Sequence, residues 1–361
     1  MKRLHHIDGI RGWAAMAVLF SHLCHEVFGK LFPQYNNLVL RVILDGNLAV
    51  CIFFVLSGDA LSTAFLSSGR YSILAKMTVK RYFRLAGPIL LSCILVYALM
   101  CCGLIYSHEA AFLVNNEPWL GAFLNFQPSL LDAIKFGLRF AFTDPFSAPS
   151  YNNFLWPMGI ELVGSFGLFL YLALYKNLKY PLASVGFFAI IFTISRSYFG
   201  LFCIGIIFSH LRINGFFERV IHSESGKNLM LFGNILWLCL AFLAASLDEK
   251  VFQINIVLAG LFIFLAYCQI WTIQFFSNSL SRFLGRISFP LYITHFAVIV
   301  SYTSFMIVWV SSKNTLNFTN SFMVAMSSAL IAILLADVFS RVELMYLSYL
   351  EKAALHLIKE G

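Results

Sequence analysis

The chain has 361 residues, of which 60% are hydrophobic and only 12% are charged. Soluble globular domains carry about 25% charged residues, so this composition excludes them and indicates an integral membrane protein. The formal net charge of +8 is typical of basic cytoplasmic loops, and we expect no nucleic-acid partner. The eight cysteines show no spacing typical of a metal site or a disulfide framework.

Apolar stretches long enough to cross a bilayer as helices recur along the chain. They lie near residues 7–27, 48–66, 85–106, 154–175, 229–247, 251–276, 284–310 and 321–340. A further stretch, 180–211, is interrupted at residues 195–197 and forms either one kinked helix or a hairpin of two helices; we choose the hairpin. The sequence therefore predicts an all-α bundle of about ten transmembrane helices. We expect a single transmembrane domain over residues 1–361, with no appended soluble domain and an external loop at about 107–153.

The positive charges predict the orientation of this bundle, because Lys and Arg concentrate on the cytoplasmic side of a membrane. With ten spans and both termini cytoplasmic, seven of the 25 Lys and Arg residues lie outside, Arg11 is left aside, and the other seventeen lie inside. The seven external residues are Lys30, Arg41, Lys135, Arg139, Arg196, Lys250 and Lys313. Treating 180–211 as one span weakens this asymmetry, so the charges favour ten spans with cytoplasmic N- and C-termini.

Two ionisable residues share one face of the first predicted span. Arg11 and His22 are eleven positions apart, and about 100° per residue returns both side chains to the same face of a helix. His22 then stands roughly 16 Å beyond Arg11 along the axis. Ionisable groups at membrane depth are costly, so they are candidates for function. The spacing predicts an arginine near the cytoplasmic surface and an imidazole past the middle of the membrane.

Polar residues of two later spans add to this candidate site. Glu161 lies roughly 10 Å below the external surface, which is near the predicted depth of His22. A carboxylate raises the basicity of a nearby imidazole, so the two side chains could share a proton. Ser288, Tyr292 and His295 are spaced i, i+4 and i+7 and share a helix face.

Two other segments suit donor binding or helix packing. Ser57 and Gly58 form a small-residue point in the second span, where another helix or a slender thioester arm could approach closely. Arg81 and Arg84 belong to a basic run at the predicted cytoplasmic mouth.

Together these segments resemble the membrane-bound acyltransferase family 3, whose members O-acetylate lipopolysaccharide, exopolysaccharide and related glycans. The resemblance rests on the Arg11–His22 spacing, Phe53 to Gly58, Arg81 and Arg84 before Pro88, Trp156 with Glu161, and the late helix with Ser288, Tyr292 and His295. The chain departs from the family pattern at Asp59 and Pro157, where an apolar residue and a serine are usual. Either departure could reflect a subgroup with a different acceptor.

The resemblance implies an integral-membrane enzyme that moves an acetyl or other acyl group from acyl-CoA to a hydroxyl of a cell-surface or lipid-linked glycan. Acetyl-CoA would be the donor substrate, no metal is expected, and the location would be a bacterial cytoplasmic (inner) membrane, with membrane lipids as neighbours. The CoA phosphates require basic residues, and Arg11, Arg81, Arg84, Ser57 and Gly58 are assigned to the donor. His22 would act as general base with Glu161 orienting or polarising it, although an acyl-histidine intermediate is also open. Supporting or substrate-binding roles fall to Trp156, Ser288, Tyr292 and His295.

Structural roles compete with each of these assignments. Arg11 could anchor its helix in the headgroups, Arg81 and Arg84 could only set topology, and His22 could be a packed core histidine. A rival function is a proton-coupled secondary transporter or exporter of a glycan or small metabolite that uses His22 and Glu161 as a proton relay. The cytoplasmic basic cluster favours the acyltransferase.

Overall fold

The computed structural model describes residues 4–147, 149–247 and 252–359. Helices make up 84% of the structure, and none of these residues lies in a strand, which confirms the all-α fold class. Lys250 and residue 251 lie outside the described residues, as do residues 1–3 and 360–361 at the two ends predicted to be cytoplasmic.

Seventeen α-helices follow one another along the described chain. They are α1 (His5–Phe20), α2 (Leu38–Ile43), α3 (Gly46–Ser68), α4 (Tyr71–Cys101), α5 (Ser107–Leu113), α6 (Leu130–Lys135), α7 (Ala141–Thr143), α8 (Pro157–Leu174), α9 (Pro181–Ile194), α10 (Phe199–Ile213), α11 (Phe216–His222), α12 (Glu224–Ser246), α13 (Phe252–Tyr267), α14 (Ile270–Phe276), α15 (Ser279–Val298), α16 (Ser304–Lys313) and α17 (Phe318–Lys359). Short 3-10 segments lie at Pro33–Asn36, Leu120–Ala122, Asn153–Leu155 and Tyr175–Asn177.

Three segments of π-helix interrupt the α-helical winding, at Ser21–Phe28, Phe136–Phe140 and Ile299–Thr303. The first continues α1, so residues 5–28, which include Arg11 and His22, are helical without a break. The third follows α15, the helix that carries His295. Single turns of π-helix are rare and often lie at functional sites.

Six helices of the described chain are long and apolar enough to cross a membrane, and the number rises to eight if each of two bent helix pairs is one span. The protein is therefore an integral, multi-pass membrane protein. The total of about ten spans, and the side on which each terminus lies, stay predictions.

The bent pairs correct the sequence analysis at one predicted span. Residues 251–276 were expected to form one helix, but α13 and α14 meet at an angle of 97°. The hydroxyl of Thr272 contacts the carbonyls of Ala266 and Gln269 at the bend, both at 2.7 Å, and can donate to them. The side chain of Gln269 bonds to Leu265 and to Asn234. Polar side chains thus replace the backbone hydrogen bonds that the bend breaks.

Two other segments, 107–153 and 180–211, can be compared with the elements that the sequence predicted. The predicted loop at 107–153 contains short helices, α5 to α7, over its described residues. The stretch 180–211 is divided into α9 and α10, which pack against each other, so the expected break is present. Arg196 follows α9 with φ of 54°, a left-handed conformation that ends helices.

The described chain forms two compact units. Unit 1 contains the described residues of 1–14, 41–81 and 160–286, and unit 2 those of 15–40, 82–159 and 287–361.

Unit 1 is built around the crossing of α3 and α10. A Cβ atom at Gly58 would lie 2.4 Å from the carbonyl oxygen of Phe202, and one at Gly205 would lie 2.2 Å from that of Val55. The two backbones therefore touch, as the small-residue point at Gly58 predicted for an approaching helix. Helix α13 also packs against α3, and α9 against α10.

Unit 2 has a core of large, fully buried rings from distant parts of the chain, among them Phe28, Phe136, Tyr151 and Phe296. Helix α16 packs against α5 and α17, and the π-helical segment Ile299–Thr303 packs against α17. A hydrogen bond of 2.9 Å between the hydroxyls of Thr303 and Ser328 joins the last two of these elements. This unit carries His22 and His295.

Candidate active site

A pair of histidines lies at the centre of the candidate site in unit 2. Nδ1 of His22 and Nε2 of His295 are 3.0 Å apart, which is a hydrogen-bonding distance. The second ring nitrogen of His295, Nδ1, lies 3.0 Å from the carbonyl oxygen of Leu291, one helical turn earlier in α15. His295 is 1% exposed, whereas His22 is half-buried.

Aromatic rings enclose His22. The ring of Phe154 stacks on the imidazole with centroids 4.1 Å apart and planes within 13°, and Trp119 stacks at 6.0 Å. Phe154 also stacks on His295, at 5.1 Å. We call His22, His295, Phe154 and Trp119 the histidine site. Stacked rings exclude water and hold the imidazole plane in one orientation.

The segment that carries Phe154 is fixed to α15 by hydrogen bonds. The amide of Asn152 donates to the carbonyl of Ile293 at 3.0 Å and accepts from the backbone N–H of Phe154 at 3.0 Å. The hydroxyl of Tyr292 donates to the carbonyl of Phe154. These bonds satisfy the polar atoms of a buried turn and set the position of the Phe154 ring against both histidines.

Unit 1 holds the other predicted catalytic residue in a buried ion pair. Nη2 of Arg81 contacts Oε1 of Glu161, and Nε of Arg81 donates to the hydroxyl of Ser165 at 2.8 Å. Arg81 is 7% exposed and Glu161 is 8% exposed. A buried carboxylate is tolerated where a hydrogen-bonded cation compensates its charge, and Arg81 supplies that cation.

A second buried ion pair is centred on Asp59 of α3. Asp59 is fully buried and pairs with Arg212 of α10, while the hydroxyl of Tyr267 donates to its other oxygen at 2.6 Å. Arg212 also donates to Thr63 at 2.7 Å. We call Asp59, Thr63, Arg212 and Tyr267 the Asp59 cluster. It joins α3, α10 and α13 within unit 1.

The residues assigned to the donor lie in different surroundings. Nη2 of Arg11 is 3.5 Å from the hydroxyl of Ser57, and Nε of Arg11 is buried with no hydrogen-bond partner among the described residues. Gly58 contacts the backbone of α10. Arg84 is exposed on α4 and interacts electrostatically with Glu343 of α17.

The structure thus brings together His22 with His295 and Arg81 with Glu161. Among the supporting residues, Tyr292 contacts the histidine site, Ser288 is buried in α15, and Trp156 is half-buried just before α8. The predicted meeting of His22 with Glu161 stays a prediction, as do the donor-binding roles.

Several residues of these clusters were not identified from sequence. Phe154 lies in a segment read only as the start of a span, and Trp119 and Asn152 belong to the predicted loop. Arg212 was counted only as a cytoplasmic charge. A buried Asp59 in an apolar helix was the one available signal that a cation had to lie opposite it.

The fold and these buried polar clusters describe a multi-pass membrane protein with a histidine-centred site. A family model described as an acyltransferase domain, acyltransferase 3, matches residues 4–341. The chain therefore belongs to the acyltransferase 3 family and is a membrane acyltransferase. Comparisons with curated proteins and with solved structures gave no significant match.

Proposed function

We propose that this protein transfers an acyl group, most simply acetyl, from acyl-CoA to a hydroxyl of a cell-surface or lipid-linked glycan. The observation that carries the proposal is the imidazole of His22, which is half-buried, stacked on Phe154 and hydrogen-bonded to His295. A hydroxyl is a poor nucleophile at neutral pH and needs a positioned base. Histidine is the side chain that most often supplies one.

Three arginines are proposed to hold the donor. CoA is a polyanion, and guanidinium groups bind phosphates through paired hydrogen bonds. Arg11 fits this role because its buried Nε–H lacks a partner among the described residues and would gain one from an anion. Arg84 is exposed on α4, as suits a residue that meets a soluble donor. Arg81 is proposed to act together with Glu161, and Ser57 remains a proposed neighbour of the thioester arm, while the backbone of α10 occupies the space beside Gly58.

In the direct reaction, His22 removes the proton of the acceptor hydroxyl as its oxygen attacks the thioester carbonyl carbon. The carbon–sulfur bond of the resulting tetrahedral intermediate then breaks, and the sulfur leaves with the proton held by His22. The products are an O-acyl ester and free CoA, and the imidazole returns to its neutral form. In the alternative route, the imidazole attacks the thioester carbonyl, the carbon–sulfur bond breaks and CoA leaves as its thiolate. The acceptor hydroxyl then attacks the acyl-imidazole, the carbon–nitrogen bond breaks, and the hydroxyl proton passes to the thiolate, which gives the O-acyl ester, free CoA and neutral His22.

Glu161 is proposed as the acidic residue of the reaction. We propose that its negative charge polarises His22 without a direct hydrogen bond, since Nδ1 of His22 already contacts His295. Its contact with the Arg81 guanidinium gives the carboxyl group a compensating cation within unit 1.

The acceptor and the location follow from the family resemblance. Glycans that are acylated in this way are lipid-linked or extracytoplasmic, so we propose a bacterial cytoplasmic membrane in which the donor is reached from the cytoplasm.

The proposal is tested in cells by mass spectrometry of surface and lipid-linked glycans. We expect an O-acyl mass with the wild-type gene and its loss with His22→Ala or Glu161→Gln at equal protein levels in the membrane. His222→Gln, which changes an exposed histidine, is the matched control and should leave the mass unchanged. The same O-acyl mass with His22→Ala would overturn the proposal. Transport of a glycan by proteoliposomes without any acyl product would favour the secondary transporter.

A further inference from the structure

The two histidines of the histidine site differ in their surroundings. His295 uses both ring nitrogens within the protein, one toward Leu291 and the other toward His22. His22 uses only Nδ1, and its Nε2 has no hydrogen-bond partner in the described part of the chain. Since His22 is also the more exposed of the two, it alone offers a free ring nitrogen to a substrate.

The backbone carbonyl of Leu291 determines where the protons lie. A carbonyl oxygen can only accept, so Nδ1 of His295 carries a hydrogen and donates it. In a neutral imidazole the other nitrogen then holds a lone pair, so Nε2 of His295 is an acceptor. The 3.0 Å contact therefore requires Nδ1 of His22 to be the donor. Neutral His22 is left with its lone pair on Nε2.

The opposite arrangements are unfavourable. If Nε2 of neutral His295 donated to His22, its bare Nδ1 would face the Leu291 oxygen, and two acceptors would lie 3.0 Å apart. A doubly protonated His295 would satisfy both contacts, but it would place a cation at a position that is 1% exposed and stacked on Phe154. An uncompensated charge at such a site is costly.

We propose that His295 is a positioning residue that holds His22 in the Nδ1–H tautomer, so that Nε2 of His22 is the nitrogen that reacts. This inference rests on the proposed acyl transfer and assigns to a neutral imidazole the role that a carboxylate has in a Ser-His-Asp triad. It applies to both routes, because Nε2 takes the substrate proton in one and the acyl group in the other.

The pair also shares the charge that develops during the reaction. When Nε2 of His22 takes the proton of the acceptor hydroxyl, His22 becomes an imidazolium whose Nδ1–H still donates to His295. The lone pair of His295 then faces a full positive charge, and that hydrogen bond strengthens. No proton has to leave the pair before the thiolate of CoA takes one from Nε2.

The tautomer can be measured without any turnover. Protein labelled with ¹⁵N-histidine is studied by NMR, and the signals of His22 and His295 are assigned by their loss in His22→Gln and His295→Gln. We expect both residues in wild type to show a protonated Nδ1 and an unprotonated Nε2. A proton on Nε2 of neutral His22 would overturn the inference. This result does not depend on whether acyl transfer is found, so the inference and the proposed function can fail separately.

Kinetics supply the second test. His295→Leu removes the acceptor for His22, and we expect kcat to fall at least about 10- to 100-fold, the loss typical when the hydrogen-bond partner of a metal-bound imidazole is removed, with the KM for acetyl-CoA unchanged. His295→Gln keeps an amide that can donate to Leu291 and accept from His22, so it should recover most of the loss. His222→Gln is the control. Equal kcat for wild type and His295→Leu, or equal loss for the Leu and Gln variants in folded protein, would contradict a positioning role.

Discussion

At the residue scale, the ionisable side chains buried in unit 1 are compensated by partners far away in the sequence. Glu161 pairs with Arg81, and Asp59 pairs with Arg212 and accepts from Tyr267. Composition and spacing identified Glu161 and Arg81 separately, because charges in apolar helices are conspicuous. Their pairing was not predicted, since two residues 80 positions apart meet only once the chain has folded.

The Arg81–Glu161 pair leads to a prediction about stability. Glu161→Ala leaves the Arg81 guanidinium buried without its counter-charge, which costs about 3–5 kcal/mol for a buried pair. We expect a lower Tm and less folded protein in detergent. The double variant Arg81→Met with Glu161→Met removes both charges and should recover most of the Tm while remaining inactive.

An exposed ion pair provides the control for this experiment. Glu224 and Lys227 lie one turn apart on the surface of unit 1, with their side chains 87% and 65% exposed. Glu224→Gln should change stability by less than about 1 kcal/mol. A Glu161→Ala protein that melts like wild type would show that the buried pair does not stabilise the fold.

At the scale of helices, the sequence predicted where most long helices lie. It did not predict where they bend or which helices pack against each other. Long apolar runs indicated α3, α8 and α12 to within a few residues, because a helix that crosses lipid must be apolar over its length. The bend between α13 and α14 was missed, since Gln269 and Thr272 sit in an otherwise continuous apolar run. Which helix approaches Gly58 could not be read from a small-residue motif alone.

The close contact between α3 and α10 leads to a prediction about the stability of a glycine variant. Gly205→Val would place side-chain atoms against the backbone of α3, where a Cβ atom already meets the Val55 oxygen at 2.2 Å. The helices must separate, and we expect the free energy of unfolding to fall by about 1–3 kcal/mol.

A glycine in open space is the control for Gly205. Gly186 lies in α9 with nothing within 4 Å of its Cβ direction, so Gly186→Ala should leave the Tm unchanged or raise it slightly. Thermal melting of both variants in the same detergent makes the comparison. Equal melting temperatures would mean that α3 and α10 do not touch at this point.

At the scale of the whole molecule, composition established the membrane class and the motifs indicated the family, which the match over residues 4–341 confirms. Helix α17 runs for 42 residues although the predicted apolar stretch, 321–340, covers about half of that length, because a helix can continue past its apolar part with charged side chains such as Arg341, which pairs with Asp337 one turn earlier. The histidine site could be predicted only in part. His22 and His295 were identified, but Phe154 and Trp119, which enclose them, lie in segments with no distinctive spacing.

The proposed acyl transfer depends most on His22 acting on an acyl thioester. The direct measurement is the fate of radiolabelled acetyl-CoA incubated with purified, reconstituted protein and membrane glycolipid extract. We expect wild type to transfer label to the lipid-linked fraction, and His22→Ala, with an unchanged Tm, to lose at least about 100-fold in rate, as expected for removal of a general base. Label transfer by His22→Ala at the wild-type rate would contradict the account.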